Sequence, residues 1–208
     1  MKTVTLVSGG IDSVVMSKII EKEGGTQFPL FIDYGQLCAE KEWSACKELM
    51  NKCKLPNPTK VDLKGYGQLM PCGITDASKD IYSDAFLPGR NLLFLTVGGA
   101  YAYYKKAKRV AIGLLSEKFH LFPDQTEKFV VNANFAINTA LGQDIILVTP
   151  LINFNKKEVI KLAKKYEIPL EKTYSCHAGG NKYCGKCISC KEIISTNEEN
   201  SFPQFGGL

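Results

Sequence analysis

The feature that most constrains this chain is the way its apolar runs are spaced and cut. Short runs of β-branched and aliphatic residues recur at 3–7, 28–32, 59–63, 109–113 and 145–148. Between them lie stretches with helical spacing at 14–23, 36–54, 91–106, 124–141 and 155–166. Strands alternating with helices build parallel βαβ units, because a parallel neighbour needs a long crossover. The runs are continuously apolar, as expected when helices cover both faces of the sheet. The pattern predicts a doubly wound α/β domain over residues 1–170. A small cysteine-rich metal module follows at 171–195, and a loose tail at 196–208.

The punctuation agrees with this division. Gly24-Gly25 stops the first helix, and Pro56 and Pro58 end the second. Asp124 is the expected N-cap of the helix that Gly142 ends, and Asn155 the cap of the next. Residues 65–90 show no period and are rich in Gly and Pro, so they read as a long functional loop.

The first strand runs into Ser8-Gly9-Gly10-Ile11-Asp12-Ser13. In an open α/β sheet, ligands bind beyond the carboxyl ends of the strands, where this turn falls. Two glycines let the backbone approach a ligand closely, and Ser8 and Ser13 add hydroxyl donors. The helix that follows offers free N–H groups and its positive end. The result is an anion cradle of phosphate or pyrophosphate size. It has neither the G-x-G-x-x-G of dinucleotide-binding folds nor the Gly-Lys-Ser/Thr of a P-loop. Asp12 would repel a phosphate unless a cation intervenes, which suggests Mg²⁺; capping the helix is its other use. An ordinary strand-to-helix turn is the competing reading.

Eight cysteines stand out against an average composition of 45% hydrophobic and 23% charged residues. Cys38, Cys46, Cys53 and Cys72 are scattered and suit buried packing. Cys176, Cys184, Cys187 and Cys190 fall within fifteen residues. Four thiolates in that spacing satisfy tetrahedral zinc. A [4Fe–4S] cluster and a redox Cys-x-x-Cys pair are the alternatives. Four protein ligands close the zinc shell, so the site would be structural, with His177 a bystander.

The opening residues do not read as a signal peptide, and no run of 18 apolar residues occurs, so a cytoplasmic protein without a membrane span is expected. Lys and Arg total 26 against 21 Asp and Glu, a net charge of +5. That excess suits a small anionic substrate better than a long nucleic acid.

The Ser8–Ser13 turn resembles the S-G-G-x-D-S pyrophosphate loop of the PP-loop ATPases, which cleave ATP between its α and β phosphates. Three further stretches resemble the 7-cyano-7-deazaguanine (preQ0) synthase family within that superfamily. They are Phe31-Ile32-Asp33-Tyr34-Gly35-Gln36, Leu87-Pro88-Gly89-Arg90-Asn91, and Thr149-Pro150-Leu151 with Asn155-Lys156-Lys157-Glu158. Tyr174-Ser175-Cys176 and the cysteine knuckle extend the resemblance to Lys191.

The resemblance implies an ATP-dependent ligase. Such an enzyme adenylates 7-carboxy-7-deazaguanine, adds ammonia, and carries the amide on to the nitrile with release of AMP and pyrophosphate. It implies that Val7, Ser8, Gly9, Gly10, Ile11, Asp12, Ser13, Phe31 and Arg90 bind ATP. Asp12, Asp33 and Arg90 take part in catalysis, and Tyr34 and Gln36 line the site. It also implies Mg²⁺, structural zinc and a homodimer. One departure is plain: where the family carries Tyr-Ser-Gly-Tyr-Pro-Asp-Cys-Arg-like text for the base, this chain keeps Pro123-Asp124 and then has Gln125-Thr126, with Glu117 as a stand-in acid and His120 nearby. A diverged enzyme using a related acid, or transferring it to a protein or tRNA amine, is the alternative this raises.

Overall fold

The computed structural model describes residues 1–116, 121–198, 201, 202 and 205. Glu117 and His120 therefore lie outside the described residues. Five strands form one parallel sheet: β1 (Lys2–Leu6), β2 (Thr26–Asp33), β3 (Thr59–Asp62), β4 (Arg109–Ala111) and β5 (Ile146–Val148). Their order is β3-β2-β1-β4-β5. The chain thus winds outward from β1 to β3, then returns to the other side of β1 with β4. The winding reverses between β1 and β4, and the crevice above that pair is where such sheets bind ligands.

Helices cover both faces, as the uniform strands predicted. Helices α1 (Ile11–Lys22), α2 (Ala39–Lys52) and α6 (Lys156–Lys165) share one core with Phe31 and Ala111. Helices α4 (Arg90–Lys105) and α5 (Glu127–Leu141) share the other core with Val4, Leu6 and Val110. Helix α4 lies against the sheet through Gly98, where a Cβ would stand 2.9 Å from Val110 Cγ1. Any larger residue would lift the helix off β4.

Three expectations are corrected. Residues 65–90 are not a loop throughout. Helix α3 (Lys64–Leu69) opens the segment, and Cys72, Ile74, Ala85 and Leu87 are buried in the core shared with α4. The cap of α5 is Thr126, whose hydroxyl accepts from Phe129 N at 3.1 Å. Asp124 serves another helix: its Oδ2 accepts from Asn91 N at 3.2 Å in the first turn of α4. Among the described residues of the tail, Phe202 and Phe205 are buried, and Phe205 meets Tyr183 edge-on at 4.6 Å. Cys176, Tyr183, Cys187 and Ile193, from the cysteine-rich stretch and helix α7 (Ile188–Ile194), sit in the same core as α1 and α2.

Candidate functional site

A cavity of about 280 Å³ opens above the carboxyl ends of β1, β2 and β4. One end is built by the turn after β1. Gly9 has φ +80°, and a Cβ there would stand 2.5 Å from the Glu42 carbonyl oxygen, so only glycine lets the turn press onto α2. Gly10 is the N-cap of α1 and supplies no side-chain cap, which leaves the helix start open to an anion. Ser13 Oγ donates to Gly10 O at 2.9 Å and accepts from Ser8 N at 3.2 Å. Gly10 N donates to Ser8 Oγ at 3.3 Å, so the two serine hydroxyls line the loop's own N–H groups. Val7, Ser8, Asp12, Ser13 and Phe31 line the cavity. Gly9, Gly10 and Ile11 shape the turn without facing it.

Asp12 is already engaged. Lys156 Nζ stands 2.9 Å from its Oδ1 and 2.7 Å from its Oδ2, and 3.2 Å from Glu192 Oε2 on α7. Burial alone would depress the lysine, but Asp12 and Glu192 outweigh it and hold Nζ charged above the usual lysine range. Lys156 was not singled out in the sequence, although it stands first in α6 within a stretch that carries the family resemblance.

The other end of the cavity is formed by Arg90, Tyr34, Gln36, Glu42 and Phe94. Arg90 opens α4 and lies 6.0 Å from the ring centres of both Tyr34 and Phe94. Those rings lie 5.3 Å apart. The guanidinium is therefore held beside two aromatic rings and hydrogen-bonded to the Tyr34 side chain, at the wall of the cavity. Gln36 is fixed by three bonds: its Oε1 accepts from Tyr34 N at 2.9 Å, and its Nε2 donates to Ile32 O at 3.4 Å and to Glu42 Oε2 at 2.9 Å. Burial pushes the Glu42 carboxyl up to about 7, against the pull of Gln36, Cys38 and Arg90. Glu42 was also missed in the sequence, where an acid in the first turn of a helix reads as a dipole partner.

His177 lines the cavity, and its buried Nδ1 has no partner among the described residues. Burial, with Arg90 and Lys156 nearby, pulls it down to about 4, so the ring is neutral at pH 7. Asp33 is the one expected catalytic group that the structure places elsewhere. It does not line the cavity; its fully buried carboxylate lies 2.9 Å from Lys60 Nζ and accepts from Gly35 N at 3.2 Å. It braces the end of β2 against β3.

The sulfurs of Cys176, Cys184, Cys187 and Cys190 all lie within 4.8 Å of one another, and none is in a disulfide. Cys184 and Cys190 sulfurs are 3.9 Å apart. A tetrahedral ion with ~2.3 Å metal–sulfur bonds sets sulfurs ~3.8 Å apart, so the pocket has the size of one ion. Backbone N–H groups of Cys184, Lys186 and Cys187 point at these sulfurs at 3.3–3.4 Å and would offset thiolate charge. His177 is not in this group. The knuckle abuts the cavity, since Ile188, Ser189 and Glu192 of α7 line it.

The sequence model of the family described as queuosine biosynthesis protein QueC matches residues 2–199. This chain belongs to the QueC family. Among curated relatives, the 7-cyano-7-deazaguanine synthase of Nautilia profundicola is 30% identical, over 91% of this chain and 90% of its own length. That of Aliarcobacter butzleri is 30% identical, over 99% of this chain and 92% of its own. Among solved structures, the U34-tRNA thiolase NcsA from Methanococcus maripaludis, with its [4Fe-4S] cluster, superposes with a TM-score of 0.54 at 17% identity. That match covers 98% of this chain and 68% of NcsA, and it speaks for the fold alone. No helix among the described residues is long and apolar enough to cross a membrane. The QueC match extends through the altered 113–126 segment to Lys191 and beyond, and nothing in these comparisons favours another acceptor.

Proposed function

We propose that this QueC-family chain is an ATP-dependent ligase that converts 7-carboxy-7-deazaguanine and ammonia to 7-cyano-7-deazaguanine, releasing AMP and pyrophosphate. The observation that carries this reading is the meeting, in one cavity, of the open α1 start and Arg90. One suits a pyrophosphate, and the other suits a carboxylate.

The chemistry needs a carboxylate oxygen to attack the α-phosphorus of ATP, expelling pyrophosphate. Ammonia then attacks the acyl carbon and displaces AMP. A second ATP activates the amide oxygen, and loss of AMP leaves the nitrile. Ser8, Ser13 and the first N–H groups of α1 hold the leaving pyrophosphate, with Gly9, Gly10 and Ile11 setting the curve of the loop. Val7 and Phe31 frame the adenine. Arg90 draws the substrate carboxylate into line and offsets charge near the phosphorus. Asp12 would hold Mg²⁺, which would offset charge on the phosphates, and Lys156, paired with Asp12, orients that carboxylate and adds a cation beside it.

The tight four-sulfur pocket favours one structural zinc over an iron–sulfur cube, whose corners hold cysteines farther apart. Zinc would fix α7, and with it Ser189, Glu192 and the chain at His177. The protein acts in the cytoplasm as a homodimer, with a second copy covering the exposed apolar residues Val131 and Phe135, 68% and 76% exposed on α5. Light scattering should read twice the chain mass, and a charged residue at Phe135 should return a monomer.

The test of the activity is AMP formation by the purified zinc-loaded chain. AMP should appear only when 7-carboxy-7-deazaguanine is present. AMP release with ATP alone, or none with that acid, overturns the proposal.

A further inference from the structure

One half-buried acid in the cavity has no task in this chemistry. Glu42 lines the cavity in the first turn of α2, and among the described residues no lysine or arginine nitrogen lies within 4.0 Å of its carboxylate. Its Oε2 is pinned by Gln36 Nε2 at 2.9 Å. Gln36 is in turn locked to the backbone of Tyr34 and Ile32. A carboxylate so oriented, with only Gln36 and the weakly donating Cys38 thiol on it, gains from a ligand that brings stronger N–H donors. The groups facing it are Cys38, Asp33, Tyr34, Cys46 and Arg90. Of these, only Arg90 is a cation.

A guanine-type base offers two parallel donors on one edge, the ring N1–H and the 2-amino group. A carboxylate accepts both in a fork, as it accepts a guanidinium. An adenine-type edge offers one donor beside one acceptor and would set a ring nitrogen against a carboxylate oxygen.

We infer that Glu42, oriented by Gln36, is the specificity residue that reads the N1–H and 2-amino edge of the acid substrate. This rests on the proposed substrate being a deazaguanine acid. It gives the chain a base reader outside the altered 113–126 segment. Gln36 acts through Glu42 and is a positioning residue.

The test is calorimetric titration of the full zinc-loaded chain with 7-carboxy-7-deazaguanine and with its analogue bearing hydrogen in place of the 2-amino group. Wild type should bind the analogue on the order of 100-fold more weakly, because the analogue leaves a buried acceptor unpaired. Glu42→Gln should lose a comparable factor for the natural acid and prefer it to the analogue by less than about 3-fold. Its ATP affinity should match wild type. If Glu42→Gln does not fold, wild type alone still decides: binding the natural acid at pH 7 should release protons into the buffer, and the analogue should release fewer. A variant that keeps the full 2-amino preference overturns the inference and leaves the proposed activity standing. A variant that loses only ATP affinity also overturns it, by assigning the carboxylate to adenine. Wild type that binds neither acid removes the proposed substrate and the inference with it.

Discussion

Glu42 should make the empty protein less stable than it could be, and this can be measured without any substrate. Burial raises its carboxyl from the ordinary 4.5 to about 7. A group whose folded value is raised binds protons more tightly folded than unfolded. Its penalty is absent below about 4.5 and grows as pH rises to 7. At ~1.36 kcal/mol per pH unit the full span is worth about 3 kcal/mol. Water reaching the half-buried side chain trims this to about 2 kcal/mol. Glutamine has the same shape, keeps an acceptor for Gln36 and carries no charge to desolvate. Urea unfolding of wild type and Glu42→Gln between pH 4 and 8 should give equal stabilities near pH 4. The variant should gain about 2 kcal/mol by pH 8, with unchanged m-values. A variant that is equally stable or weaker at pH 8 would refute the reasoning, because the carboxylate would then be satisfied by the protein itself.

Other consequences follow from the same geometry. Lys156→Met strips Asp12 and Glu192 of their shared cation and should cost about 2 kcal/mol in thermal unfolding while raising the KM for ATP more than that for the acid. Gly9→Ala meets both a φ of +80° and a Cβ contact of 2.5 Å, and should cost at least about 2 kcal/mol and abolish ATP binding measured by calorimetry. Cys187→Ser should lower bound metal, measured by elemental analysis, to well under one ion per chain, and activity should fall with it because Ser189 and Glu192 lose their anchor. Thr126→Ala should destabilise by about 1 kcal/mol by removing the cap of α5 without changing kinetic constants.

The parts of this protein legible in its sequence are those governed by local period. Runs of apolar residues announced five strands, and the glycines at 9, 10 and 142 marked a phosphate-sized turn and a helix stop. The four-sulfur pocket was legible for the same reason, since its ligands are sequence neighbours. What escaped depends on contacts between distant segments. Asp124 looks like a cap for α5, yet Pro123 turns it toward Asn91, 33 residues away. Glu42 and Lys156 look like solvated charges at helix starts, and only the packing of α2 and α6 against the β1 turn buries them. Asp33 looks like a strand-end acid aimed at a ligand, until Lys60 on the neighbouring strand claims it. Residues 65–90 lack a period because Cys72, Ile74, Ala85 and Leu87 fill gaps singly rather than along a helix face.

The central claim is that a single cavity joins a pyrophosphate cradle to an acid-binding arginine and activates the same carbon twice. Counting products tests it most directly. The purified zinc-loaded chain, given 7-carboxy-7-deazaguanine, ammonia and excess ATP, should form two AMP and two pyrophosphate for each 7-cyano-7-deazaguanine detected by mass spectrometry. Formation of ADP and phosphate, or of AMP with no nitrile at any time point, would contradict it.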